Sequence, residues 1–98
     1  VVIKISHPFS TIIKEKVWVN NQQIIEYDDK SIMFKAKMRG YEEIKSWILS
    51  MGAYVEVVEP DRLRNDILLE IEKMKKIYWF FQIIYTWTNI LHGLVLIY

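Results

Sequence analysis

Every charged residue of this chain lies before residue 77. The 13 Lys and Arg residues and the 12 Asp and Glu residues fall between Lys4 and Lys76, and residues 77–98 carry no charge. The charged part has the composition of an ordinary water-soluble domain, whereas an exposed uncharged run of this length would be an interaction surface or an aggregation hazard. We therefore predict a folded domain over residues 1–78 and an uncharged aromatic and aliphatic tail over residues 79–98.

Length and composition exclude several classes of protein. A chain of 98 residues forms one domain at most. A net charge of +1 argues against bulk electrostatic attraction to nucleic acid or to an anionic membrane. The absence of cysteine excludes disulfides, thiolate zinc sites and a cysteine nucleophile. The chain starts at Val1 rather than Met and enters a predicted strand at once, so we expect it to be part of a longer protein. No signal-peptide pattern is evident at its start.

Hydrophobic periodicity predicts seven elements. In chain order they are strands and helices at residues 1–6 (strand), 8–16 (helix), 18–27 (strand), 32–39 (strand), 41–51 (helix ended by Gly52), 54–58 (strand) and from Pro60 and Asp61 onward (helix). Residues 32–39 give the clearest alternation, with Lys35, Lys37 and Arg39 on the polar side. The order predicts an α+β fold, namely a ferredoxin-like βαββαβ antiparallel sheet with two helices on one face and an additional C-terminal helix.

Three segments after residue 39 carry a family resemblance. They are the helix from Tyr41 to Gly52, the run Val55-Glu-Val-Val-Glu-Pro-Asp-Arg-Leu-Arg64, and the charged helix that ends Met74-Lys-Lys-Ile-Tyr78. With the opening strand and Lys16-Val-Trp18, they resemble the C-terminal extension (WCX) domain of WYL-domain transcriptional regulators, a bacterial family with an N-terminal winged helix-turn-helix. The resemblance covers residues 1–78 and leaves residues 79–98 unmatched.

The resemblance implies a ferredoxin-like fold and a regulatory role. The DNA-binding helix-turn-helix and the WYL domain would lie upstream, and the extension would serve dimerisation and couple effector binding to DNA binding. The implied partners are a second protomer, DNA through the upstream helix-turn-helix, and a small-molecule or oligonucleotide effector, all in the cytoplasm. The ligand-contacting signature of the family belongs to the WYL domain, so no functional residue is carried over to this chain.

A basic sheet face is the candidate ligand-binding site. The first and third strands are central neighbours in the predicted sheet, so four basic side chains are expected on the face without helices: Lys4, Lys35, Lys37 and Arg39. That face could bind a nucleotide or single-stranded nucleic acid, with Met33 and Tyr54 as an imperfect stacking platform. Glu56 would partly cancel the charge. The alternatives are a solvated surface or one covered by another domain.

The third helix and the tail are candidate interfaces. A third helix cannot share the sheet face that two helices already cover, so it is expected at the sheet edge, on the open face or against a second molecule. The predicted interface residues are Ile71, Met74, Tyr78, Trp79 and Phe80. The tail could extend this helix into an interface, pack on the open sheet face, represent an altered reading frame or other non-native sequence, or anchor the chain in a membrane.

The tail's composition bears on these alternatives. Its length suits a membrane span and it follows Lys75 and Lys76, but Gln82 and Asn89 are among the polar residues that interrupt it, so a membrane partner is not expected. Its β-branched and aromatic residues favour strands over a water-exposed helix.

No pattern in the sequence predicts catalysis, a metal site or a cofactor. His7 and His92 are isolated, whereas a metal site needs several converging ligands. The pairs Glu42-Glu43 and Asp28-Asp29 fit a helix N-terminus and a turn, and all three glycines are isolated. We therefore expect a non-catalytic module.

Overall fold

A four-stranded antiparallel sheet and three helices form an α+β fold in the computed structural model, which describes residues 1–92. In chain order the elements are β1 (Val2–Ile5), α1 (Phe9–Lys14), β2 (Gln23–Glu26), β3 (Ile32–Lys35), α2 (Tyr41–Ser50), β4 (Val55–Glu59) and α3 (Asp61–Leu91). A short 3-10 turn, Gly52–Tyr54, precedes β4. This is the predicted succession of strand, helix, strand, strand, helix, strand and helix.

The strand order across the sheet is β2-β3-β1-β4. β1 pairs antiparallel with both β3 and β4, and β2 pairs antiparallel with β3. The first and third strands are therefore central neighbours, as the sequence predicted. The pairing places Ile3 opposite Phe34 on one side and opposite Val57 on the other.

The core lies on one face of the sheet. Alternate residues of the two central strands, among them Ile3 and Phe34, are fully buried there. Ile13 of α1 and Ile48 of α2 belong to the same buried cluster, and the Phe34 ring meets Trp47 of α2 edge-on at 5.8 Å between centroids. Each fully buried aliphatic or aromatic side chain contributes about 1.5–3 kcal/mol, so this alternation fixes which sheet face the helices cover.

Gly52 ends α2, as predicted. Its φ is +58°, and it directly follows the C-cap residue Met51, whose backbone N–H donates to the Ile48 carbonyl at 3.1 Å. A left-handed residue one position past the C-cap is the usual helix stop, and glycine adopts that conformation without the steric cost that a Cβ brings. The strand β4 then starts three residues later.

The third helix corrects one prediction. Its first turn shares the core that α1 and α2 cover, because Leu63 is fully buried in the same cluster and Ile67 packs against it. Leu63 follows the end of β4 by about one helical turn, so this part of α3 still packs against the core side of the sheet. The premise that two helices leave no room for a third is wrong for this turn.

The second and third strands are shorter than predicted. Strand β3 ends at Lys35, so Lys37 and Arg39 lie outside it. After Ala36, which still bonds with Val1, the backbone N–H of Lys37 donates to Asn21 Oδ1 at 2.8 Å rather than to a strand. The same Asn21 precedes β2, which starts only at Gln23. A side chain therefore replaces the strand pairing that the alternation suggested.

The chain divides into two compact units, Val1–Ile67 and the residues from Leu68 onward. In the second unit α3 continues without interruption to Leu91. No proline or glycine occurs between Asp61 and His92 to interrupt the helix. The prediction that the composition of the tail favours strands is therefore wrong for its described part, and the alternative that the tail extends the third helix agrees with the structure. The remainder, residues 93–98, lies outside the described residues.

Candidate interaction surfaces

The face of the sheet opposite the core is the first candidate surface. Two rows of side chains lie there, because cross-strand partners point to the same side of a sheet. The rows are Gln23, Lys35, Val2 and Glu59, and then Ile25, Met33, Lys4 and Glu56, each in the strand order β2, β3, β1, β4. We call these eight residues the outer sheet face. It mixes aliphatic side chains with both signs of charge.

The structure places the four predicted basic residues in three locations. Lys35 and Lys37 line one cleft of about 510 Å³, together with Asn21 and Gln23. Lys4 lines a second cleft of about 410 Å³. Arg39 lines neither and lies in the loop that leads to α2. Two of the four side chains are therefore brought together.

Acidic neighbours reduce the positive character of this face. Glu56 is the direct cross-strand partner of Lys4, and Glu59 lines the same cleft as Lys35. The predicted stacking platform is also incomplete, because the ring of Tyr54 packs against Phe9 of α1, with 5.2 Å between centroids. The outer sheet face is thus amphipathic, with one cleft that contains two lysine side chains and one glutamate.

A polar cluster that the sequence did not indicate links α2 and the start of α3. The Tyr41 hydroxyl donates a hydrogen bond to an Asp66 carboxylate oxygen, and the Arg62 guanidinium lies 4.4 Å from the centre of the Tyr41 ring. The hydrogen bond to Asp66 raises the pKa of Tyr41, because ionisation would remove the donated proton next to a carboxylate. No sequence signal could have found a pair 25 residues apart.

The uncharged half of α3 is the second candidate surface. All five predicted interface residues are exposed and lie in the second unit of the structure: Ile71, Met74, Tyr78, Trp79 and Phe80. Exposure of large apolar side chains continues along the helix to Leu91. Single exposed apolar residues are normal in monomeric proteins, whereas large contiguous apolar sets are typical of interaction surfaces.

Three of the polar residues in this surface lie along one side of the helix. They are Gln82, Thr86 and Asn89, at intervals of four and three residues. Thr86 donates its hydroxyl proton to the Gln82 carbonyl at 2.8 Å, whereas the buried amide nitrogen of Asn89 has no hydrogen-bond partner among the described residues. The side chains of Trp79 and Trp87 flank a groove of about 190 Å³ beside Thr86.

Within residues 1–92 no three His, Asp or Glu side chains come close enough to hold a metal ion. None of the helices in this range combines the length and the apolar character that crossing a membrane requires.

The fold and the two surfaces define a small α+β module with an exposed helix. A family model described as the WCX domain matches residues 1–75, and the chain belongs to this family. The match confirms the resemblance found in the sequence and identifies a regulator-associated C-terminal domain. It ends just before the uncharged segment begins. The comparison with curated proteins gives no match.

Proposed function

We propose that this domain is the C-terminal dimerisation and effector-coupling module of a WYL-type DNA-binding transcriptional regulator. It acts in the cytoplasm, performs no catalysis and needs no cofactor. DNA is bound by a helix-turn-helix elsewhere in the parent protein, and an effector, either a small molecule or an oligonucleotide, is bound by the WYL domain. Membership of the WCX family supports this assignment.

We further infer that the first six elements form a ferredoxin-like domain. The support is the β2-β3-β1-β4 order of an antiparallel sheet together with the chain order βαββαβ, in which both helices contribute to one core. In such a domain the second sheet face and any added helix are free for contacts with other molecules. Dimerisation therefore need not disturb the core.

The observation that carries the dimerisation proposal is the exposed apolar side of α3. Large aromatic side chains such as Tyr78, Phe80 and Phe81 stay mostly exposed in the single chain. Covering apolar area contributes about 25 cal/mol per Å² removed from water. Aromatic side chains are also the residues most enriched at interfaces. A second protomer can cover this surface without the further entropic cost of ordering the backbone, because the helix is already formed.

Effector binding is coupled to DNA binding if the dimer has two arrangements of its protomers that differ in affinity for both ligands. An effector that binds one arrangement more tightly shifts the population toward it. The free energy of DNA binding then changes by the coupling free energy between the two sites. Typical coupling energies are about 1–3 kcal/mol, a change of about 5- to 150-fold in affinity. The present domain would fix the relative placement of the protomers, and so would set which arrangements are available.

Solution mass tests the proposal. Light scattering over a series of concentrations should give a discrete dimer for the full chain and a monomer for a chain that ends at Tyr78, because truncation removes most of the exposed aromatic surface. A full chain that stays monomeric at the highest concentration, or a truncated chain that dimerises equally well, would contradict the role of the helix.

A second candidate function is direct binding of a nucleotide or single-stranded oligonucleotide through the basic residues Lys4, Lys35, Lys37 and Arg39. One observation favours it: the cleft of about 510 Å³ holds Lys35 and Lys37 beside the amides of Asn21 and Gln23. Ammonium and amide groups together can bind phosphate and base edges. The neighbouring Glu59 weakens such a site for anions.

Salt dependence tests this second function. Binding of a fluorescent single-stranded oligonucleotide should weaken steeply with salt if phosphates are contacted. The double change Lys35→Glu and Lys37→Glu should abolish it, and the double change Lys75→Glu and Lys76→Glu, which alters the net charge equally but on α3, should not. Equal affinity in all three proteins, or no binding at low salt, would exclude the cleft as a nucleic-acid site.

A further inference from the structure

The described part of α3 carries a seam with regular spacing. Apolar side chains recur at alternating intervals of three and four residues, which places them along one side of a helix. The positions of this seam are Met74, Ile77, Phe81, Ile84, Thr88 and Leu91. We call them the Met74–Leu91 seam. Five of the six are large and apolar, and all five are exposed in the single chain.

Apart from Thr88, the polar residues of the same segment lie away from the seam. At 100° per residue, Lys75, Gln82, Thr86 and Asn89 fall within about 60° of one another, and the centre of the seam lies more than about 100° away. Trp79 belongs to this polar side, because it precedes Gln82 by three residues and Thr86 by seven. The polar side is the one that can remain in water when the seam is covered.

The residues that flank the seam carry no charge. Tyr78 and Tyr85 line one margin, and Phe80 and Trp87 line the other. In paired helices the charges at these flanking positions select the partner and its orientation. Without them, nothing in this segment repels an identical helix, and the aromatic margins widen the area that such a helix would cover. The positions beside the seam therefore carry no charge that would oppose pairing with the identical seam of another copy.

We propose that the Met74–Leu91 seam packs against the same seam of a second copy of this chain, as a short pair of helices. This inference rests on the proposed dimerisation and names the side of α3 that mediates it. The seam spans about 26 Å at 1.5 Å per residue. Of the five interface residues that the sequence suggested, Met74 lies in the seam, Tyr78 and Phe80 lie at its margins, Trp79 lies on the polar side, and Ile71 lies before the seam begins.

Two matched substitutions test which side of the helix is the interface. Phe81 and Trp79 are both aromatic and equally exposed, at 66% and 64%, and they lie two residues apart on opposite sides of α3. Sedimentation equilibrium should show that Phe81→Glu raises the dimer dissociation constant by about 100-fold or more, because a charge would be buried in the seam. Trp79→Glu should change it by less than about threefold.

The outcomes separate this inference from the proposed function. If the unmodified chain dimerises but Trp79→Glu dissociates it as strongly as Phe81→Glu, the seam is wrong and dimerisation stands. If the unmodified chain is a monomer, both the seam and the proposed dimerisation are wrong. Circular dichroism establishes that each variant keeps its helix, and Phe81→Ala, which introduces no charge, should weaken the dimer in the same direction.

A gain of affinity is the complementary test. Thr88 is the one polar residue in the seam, and Thr88→Leu should tighten the dimer about tenfold by adding apolar area to the contact. Ile83→Leu, a conservative change outside the seam, should leave the dissociation constant unaltered. A Thr88→Leu protein with unchanged or weaker association would remove Thr88 from the contact and overturn the assignment.

Discussion

The hydroxyl group of Tyr41 donates a hydrogen bond to the carboxylate of Asp66, and so ties the first residue of α2 to the second turn of α3. Arg62, one turn earlier in α3, places its guanidinium over the Tyr41 ring. The three side chains belong to the unit formed by residues 1–67. This cluster fixes the start of the helix that carries the apolar surface, although its own chemistry is unrelated to that surface.

Replacing Tyr41 with Phe should lower the free energy of unfolding at neutral pH. The change keeps the ring under Arg62 and removes only the hydroxyl that Asp66 accepts. Because the hydrogen bond to Asp66 raises the pKa of Tyr41 in the folded state, the stabilisation is complete below the usual tyrosine pKa near 10. It is lost as the pH rises through the raised value.

Urea denaturation of both proteins at neutral and alkaline pH checks this prediction. The difference in stability between the unmodified chain and Tyr41→Phe should be present at neutral pH and should shrink at the alkaline end. A difference that stays constant across the titration would mean that the hydroxyl acts through packing rather than through its bond to Asp66.

The stability that Asp29 contributes should depend on pH in the opposite direction and should be lost in acid. Its carboxylate accepts hydrogen bonds from the hydroxyl and the backbone N–H of Ser31, the latter at 2.9 Å, and these bonds lower the pKa of Asp29. The stabilisation is present above the usual aspartate pKa and is lost as the pH falls through the lowered value. Asp29→Asn should therefore flatten the acid limb of the stability curve, and Asp28→Asn, one residue earlier, should not. Parallel acid limbs in all three proteins would contradict the assignment.

The sheet and the first two helices could be predicted because their signals are local. Alternation at Ile32 and Phe34 predicts the buried face, and Gly52 predicts the end of α2, since each depends on residues within a few positions of one another. The end of β3 could not be predicted, because it depends on Asn21, a side chain distant in sequence that takes the Lys37 backbone bond. The Tyr41–Asp66 pair was missed for the same reason.

The tail shows a second limit of prediction from sequence. Its composition, rich in aromatic and β-branched residues, favours strands as a weak average preference. A helix that is already formed adds one hydrogen bond for each further residue without a new nucleation cost. Continuity from the charged part of α3 therefore decides the conformation as far as Leu91. The 3-4 spacing was present in the sequence, but its meaning became visible only once the segment was known to be helical.

The two faces of the sheet should respond differently to truncation of neighbouring side chains. Phe34 is fully buried, whereas Ile25, on the adjacent strand and the outer sheet face, is 59% exposed. Phe34→Ala should lower the free energy of unfolding by about 3–5 kcal/mol, because it removes apolar contacts and leaves a cavity. Ile25→Ala should change it by about 0.5 kcal/mol or less. Chemical denaturation measures both, and similar losses would mean that the outer sheet face is covered in the protein in solution.

Gly52 offers a test of backbone conformation without a packing effect. Its φ is +58°, and a Cβ placed on it would meet no atom within 4 Å. Any loss of stability in Gly52→Ala must therefore come from the left-handed backbone, which costs a residue with a Cβ about 1–2 kcal/mol. Gly52→Asn should lose less, because asparagine tolerates this conformation better. Thermal and urea denaturation of the three proteins should rank them Gly, Asn, Ala in decreasing stability. Equal stability of the Gly and Ala forms would show that α2 ends in another backbone conformation in solution.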